Sequence, residues 1–185
     1  LPSCPSPTVV TTGTLSALTD VYGSSSVNGT FAVSGTFLTN NIVVTAPAGF
    51  EISLNPASGF AGTLTIAPAS GSVASTQVYV RLLSTDLVGN YAGNISCTTN
   101  GGNTVNVIIP SSTVTPKSVT ITGIFINNKV ENLGDFTAAI SGTPALNGVL
   151  PADTANVIVD SSAAIAVFTQ DNAGTNIPVN ISGYA

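Results

Sequence analysis

The sequence predicts an all-β protein of the sandwich class. Three observations carry that prediction. Helical periodicity is almost absent, apolar and polar residues alternate over short runs, and clusters of Gly, Asn, Pro and Ser interrupt the runs at regular intervals. The runs form two series, separated by the polar stretch 111–120. That stretch contains Pro116, which cannot donate a ladder hydrogen bond, and reads as a linker.

The first series begins with TLSALT (14–19), GTFAVSGT (29–36), NIVVTAP (41–47) and FEISLN (50–55). It continues with TLTIAP (63–68), TQVYVRLL (76–83), GNYAGNISCTT (89–99) and TVNVIIP (104–110). An immunoglobulin-like sandwich uses about seven strands in about 100 residues, and this series fits that count. Parity sorts the faces. Tyr91, Gly93, Ile95 and Cys97 share a core face, and Asn90, Ala92, Asn94 and Ser96 the opposite one. Val78, Val80 and Leu82 likewise oppose Tyr79 and Arg81.

The second series is SVTITGIF (118–125), FTAAISG (136–142), NVIVDS (156–161), AAIAVF (163–168) and IPVNISG (177–183). It supplies about five strands where a sandwich wants about seven. Its last strand, alternating through Ile177, Val179 and Ile181, has no successor. The expected organisation is therefore an N-terminal extension at 1–13, an immunoglobulin-like sandwich at 14–113 and an incomplete sandwich at 114–185.

Composition narrows the function. The 185 residues carry Lys+Arg 3, Asp+Glu 8, no His and a formal net charge of −5. The charged fraction is 6%, against about a quarter in ordinary soluble proteins. Thr, Ser, Asn and Gly replace the charges, which suits a protein held in an assembly or coated with sugar. So few cations argue against nucleic acid as a partner. No apolar run reaches the roughly 18 residues of a membrane helix, so membrane insertion is not expected. The chain begins at Leu1 with no basic segment leading into an apolar one. We expect a secreted protein, extracellular or on the cell surface, after removal of a signal peptide.

Two cysteines, Cys4 and Cys97, are enough for one bridge outside the cell. An intramolecular Cys4–Cys97 disulfide is the preferred pairing, with an intermolecular one as the alternative. Catalysis is not expected. His is absent, so a hydrolytic triad lacks its usual base, and nothing positions Lys117 or Lys129 beside a serine. Glu131 and Asp135 are the nearest approach to paired carboxylates, but they fall in a predicted loop. Asp153, Asp160 and Asp171 have no spacing that demands calcium, so no metal or other cofactor is expected. Asn28, Asn94 and Asn180 each begin an N-glycosylation pattern.

NIVVTAPAGFEISLNPASGF, GSVASTQVYVRL and GNYAGNIS resemble repeat domains of large secreted surface proteins of Bacteroidota. KSVTITGIFINNKV, AAISGTPALNGVLPADTANV and DNAGTNIPVNISGY resemble the YDG repeat of the same proteins. Where that repeat reads Lys-Val-Tyr-Asp-Gly, this chain has Lys129, Val130, Glu131, Asn132, Leu133 and Gly134. The resemblance implies extracellular immunoglobulin-like modules of adhesins and surface fibres, without catalytic residues. It also implies a repeat that continues past ISGY for another strand or two. Asp153-Thr154-Ala155 resembles the O-glycosylation acceptor of Bacteroidota, which makes Thr154 a candidate glycan site.

Together these readings predict a structural subunit of an extracellular bacterial filament or pilus-like fibre. It would assemble with other copies of itself, head to tail, by strand complementation. The expected assembly strands are residues 1–13, with Val9 and Val10, as donor, and Ile177, Val179 and Ile181 as acceptor. The alternative is an adhesin or binding module from a large repetitive surface protein, with surface glycans as partners.

Overall fold

A computed structural model describes residues 5–130, 132, 134–170 and 172–185. The chain separates into two compact units, Leu1–Lys117 and Ser118–Ala185. Among the described residues there is no α-helix, and one 3-10 turn spans Pro151–Asp153. The protein is all-β, as the alternation predicts.

Unit 1 is a two-sheet sandwich. Its strands are β1 (Thr8–Thr12), β2 (Thr19–Val21), β3 (Gly29–Thr36), β4 (Ile42–Thr45) and β5 (Phe50–Ser53), followed by β6 (Thr63–Ile66), β7 (Val73–Leu82), β8 (Gly89–Thr98) and β9 (Val105–Thr115). One sheet has the order β1-β3-β7-β5 and the other β2-β9-β8-β4-β6. All pairings are antiparallel except β2 with β9. The first strand thus joins one sheet and the second the other, an arrangement compatible with an immunoglobulin-like sandwich.

The inner faces are those the parity gives. Phe31, Val33, Val78, Val80 and Leu82 of the first sheet meet Ile42, Val44, Ile95, Cys97 and Ile109 of the second in one buried cluster. Burying a Val, Leu, Ile or Phe side chain contributes about 1.5–3 kcal/mol, so this cluster dominates the stability of unit 1. Pro110 lacks an N–H, and the β8–β9 register shifts beside it, between Tyr91 and Gly93. The Ser112 hydroxyl repairs the ladder there: fully buried, it donates to the Pro110 carbonyl and accepts from Leu18 N–H.

Tyr91, near the start of β8, reads as a core residue by parity. It also donates its hydroxyl to the Leu87 carbonyl at 2.8 Å, closing the corner between β7 and β8 as tyrosines do in immunoglobulin-type sandwiches. Its ring lies over Gly49, where φ is 85° and an added Cβ would overlap the ring. Glycine is needed at that position for both reasons.

Unit 2 has two small sheets. β10 (Thr120–Ile126) pairs with β12 (Ile140–Asn147). β11 (Thr137–Ala138), β13 (Ile165–Phe168) and β14 (Val179–Ser182) form the other sheet, with β13 central.

Four sequence expectations are corrected. Residues 14–18 of the expected first strand are not a strand: after Gly13, at φ 92°, the chain crosses from one sheet to the other, plugs Leu15 and Leu18 into the core and enters β2 at Thr19. Residues 8–12 of the expected extension are β1, built into unit 1 with Val9 buried. The linker at 111–120 is shorter than expected, because β9 runs through the bulge to Thr115 and the unit boundary follows Lys117. Residues 156–161 do not form a strand either. The N–H groups of Asn156 and Val157 are drawn back to the Asp153 carbonyl by the preceding turn.

Replacing Gly49 with Ala should cost about 2–4 kcal/mol, from positive-φ strain and displacement of Tyr91. Tyr91→Phe, losing only the corner hydrogen bond, should cost about 1 kcal/mol. Urea unfolding of the full chain checks both, through a lower midpoint at an unchanged slope.

Candidate functional site

A strand has two hydrogen-bonding edges, and an outer strand leaves one of them unpaired. Unit 1 closes the edges of its four-stranded sheet with local chain. On β1, the Asn103 side-chain amide accepts from Val9 N–H at 2.8 Å and donates to the Val9 carbonyl at 2.9 Å. One residue from the β8–β9 turn thereby imitates a neighbouring strand. On β5, the backbone of Ala61 exchanges both hydrogen bonds with Ile52, at 2.8 and 3.0 Å. The edges of the five-stranded sheet, β2 and β6, are only 3 and 4 residues long.

Unit 2 has no equivalent closure at β14. Val179–Ser182 pairs with β13 on one side, and among the described residues no strand pairs with its other side. The chain beyond it stays attached through Ala185, which exchanges backbone hydrogen bonds with Asp160. Among the described residues of unit 2, Ala166 is the only buried apolar side chain. Phe125 and Ile165 are each 58% exposed and Ile181 40%. The two sheets of this unit therefore carry apolar faces that their own packing leaves in water.

A cleft of about 500 Å³ opens in unit 2 between the end of β10 and the β13–β14 hairpin. Ile126, Phe168, Ile177 and Val179 give it an apolar lining, and Asn127, Gln170, Asn172 and Asn176 an amide-rich rim. Lys129 and Asp135 also line it. The Lys129 ammonium contacts the Asp135 carboxylate at 2.5 Å and donates to the carbonyls of Asp135 and Thr137 at 2.9 and 3.1 Å. Asp135 in turn accepts from the Thr137 N–H and hydroxyl. The Lys129 hydrogen bond, then those from Thr137, hold the Asp135 carboxyl well below the usual carboxylate range. The pair closes the loop entering β11.

The other predicted site residues are dispersed. Of the assembly residues, Ile177 and Val179 line the cleft and Ile181 is on the exposed stretch of β14. Val9 and Val10 are elsewhere, in β1: Val9 is buried in its own sandwich and Val10 points outward. Cys97 is a free, fully buried thiol packed as a small apolar group between the sheets of unit 1, and burial pushes its pKa up to about 11. Cys4, its expected disulfide partner, lies outside the described residues, as do Glu131 and Asp171. Thr154 is exposed just after the 3-10 turn, and its hydroxyl donates to the Pro151 carbonyl. Asn94 and Asn180 are exposed, on β8 and β14. Asn28 is half-buried, and its amide nitrogen donates to the Pro56 carbonyl at 2.7 Å, so a glycan there would have to break that bond.

The edge caps were missed in sequence. Asn103 is 94 residues from Val9, and no local pattern marks such a pairing. Compared with known proteins, the chain matches no family model and no curated sequence.

Asp135 is bound more tightly as the anion in the folded state, so its stabilisation is present above the unfolded carboxylate pKa of about 3.9. It is lost as pH falls below that value. The stability deficit of Asp135→Asn should accordingly shrink as pH is lowered through about 4, measured by denaturant midpoints across a pH series. Asn103→Ala should cost about 1–3 kcal/mol by stranding the Val9 N–H and carbonyl, with amide hydrogen exchange accelerated first in β1.

Proposed function

We propose that this chain is a structural subunit of an extracellular filament, joined to other copies by β-strand complementation at unit 2. The observation that carries the proposal is the contrast between the two units. Unit 1 caps the edges of its four-stranded sheet with Asn103 and Ala61, whereas among the described residues unit 2 leaves β14 open beside a cleft that presents Ile126, Phe168, Ile177 and Val179 within an amide-rich rim. A strand from a second copy would satisfy the β14 backbone and cover the cleft lining at once. Each Val, Ile or Phe side chain fully covered would contribute about 1.5–3 kcal/mol. The resemblance to secreted Bacteroidota repeats and the low charge support an extracellular polymer. An acceptor on one unit served by a different surface of the next copy is heterologous, so it propagates without closing.

The donor is not β1 as it stands, because β1 is held between β3 and the Asn103 amide with Val9 in the core. Residues 8–12 therefore serve unit 1 first. The second reading, a binding module of a large repetitive surface protein, draws support from the exposed Phe37 at a groove of unit 1.

Electron microscopy of the purified chain should show fibres. Ile181→Lys, which puts a charge on the open edge strand at a partly exposed position, should leave soluble monomers with an unchanged unit 1. Fibres of the same form in that variant, or a wild-type chain that stays monomeric at high concentration, would defeat the reading.

A further inference from the structure

Among the described residues, three that are not glycine have positive φ: Phe37, Ser70 and Asn176. Asn visits this region readily, but a bulky aromatic residue rarely does. Phe37, at φ 57°, follows the last residue of β3. The turn is fixed on its far side, where Leu38 N–H donates to the Gly71 carbonyl at 2.8 Å and the Leu38 side chain is buried. Locking Leu38 inward turns the Phe37 ring outward, where it is 57% exposed.

That ring stands at a groove of about 740 Å³, at the end of unit 1 where β9 begins. Pro5 and Pro7 come from the N-terminal segment, Ser70 from the β6–β7 turn and Asn100 from the β8–β9 turn. Ser70, at φ 49°, and Gly71, at φ 77°, are the central pair of the Ala69–Ser72 hairpin turn, which needs positive φ at both, so Phe37 is the strained position in the groove. No ionisable side chain is among the lining residues. Apolar surface predominates, with hydroxyls and an amide at the margin. Strained backbone of this sort persists where the surroundings hold it, and it collects at ligand-binding positions. Loops carried on a rigid sandwich are also where such scaffolds place recognition.

We propose that this groove binds a neutral glycan, with the face of a pyranose stacked on Phe37 and its hydroxyls bonded by the Ser70 and Asn100 side chains. The chemistry matches on each count. A sugar ring offers an apolar C–H face to the aromatic ring and a hydroxyl rim to uncharged donors and acceptors, and the groove offers a neutral ligand no charge to desolvate. This site is separate from the β14 edge and does not depend on polymerisation.

The test is saturation-transfer difference NMR on the full chain, which reads the sugar whether the protein is monomeric or assembled. The probes are maltohexaose, cellohexaose and β-1,4-mannohexaose at millimolar concentration. At least one should receive saturation on its ring C–H protons. Phe37→Asn removes the ring and suits the left-handed backbone, so it should weaken that hexaose by at least about tenfold while raising Tm by about 2–8 °C. Absence of saturation transfer to all three sugars overturns the proposal. So does transfer that survives unchanged in Phe37→Asn. A Phe37→Asn variant that loses self-association while wild type shows no sugar binding also overturns it, because the ring is then a contact with a second copy.

Discussion

Every strand in this protein must settle two rows of backbone hydrogen-bonding groups, and the rest of the structure follows from how each row is settled. In the interior of a sheet a neighbouring strand does it. At the ends of the four-stranded sheet of unit 1 the chain improvises: one asparagine side chain serves β1, and one residue of the β5–β6 loop serves β5. With both ends closed, the shared core of the two sheets carries the stability. Among the described residues, unit 2 shows no such resolution at β14 and no comparable core. These are one deficiency, since an added strand would bring backbone partners and apolar side chains together.

Electrostatics plays a small and local part. Two of the three cations are held in ion pairs. Arg81 faces Glu51 across the β5–β7 pair at 2.7 Å and lies over the Phe60 ring at 3.8 Å, and Lys129 ties down its own loop through Asp135. Neither pair joins distant surfaces or builds a field. A chain so short of charge relies on hydroxyl and amide groups to stay hydrated, and those groups also act as caps, in Asn103, Ser112 and Thr137.

Most of the strands were legible because burial on one face leaves a two-residue period in the sequence. GTFAVSGT is strand β3 to the residue, and the parity of β7 and β8 assigns the inward side chains correctly. Failure came where the same period arises for another reason. Leu15 and Leu18 are inward plugs on a crossing segment, and in 156–161 a preceding turn draws the backbone out of the sheet. The N-terminal segment was misread because its partner, β3, begins well along the chain, and local pattern gives no long-range register. Cys97 sits as a small apolar residue at the core position its parity indicates. For the β14 edge, the sequence held the alternation of Ile177, Val179 and Ile181. It held no sign of the Asn103 and Ala61 closures that make the contrast with unit 1 visible.

The parallel pairing of β2 with β9 has a mechanical meaning. β2 enters beside Thr113 and leaves beside Thr115, and β9 runs the same way to its end two residues before the unit boundary. A pull on the N-terminal side of β2 and on the C-terminal side of β9 acts in opposite directions along two adjacent strands. The bonds between them, Thr113 N–H to Leu18 O and Tyr22 N–H to Thr115 O among them, lie across that line and are strained together. Tension applied across this pair is therefore borne in shear, with the load shared over the whole short ladder, where the opposite strand direction would have opened it like a zip.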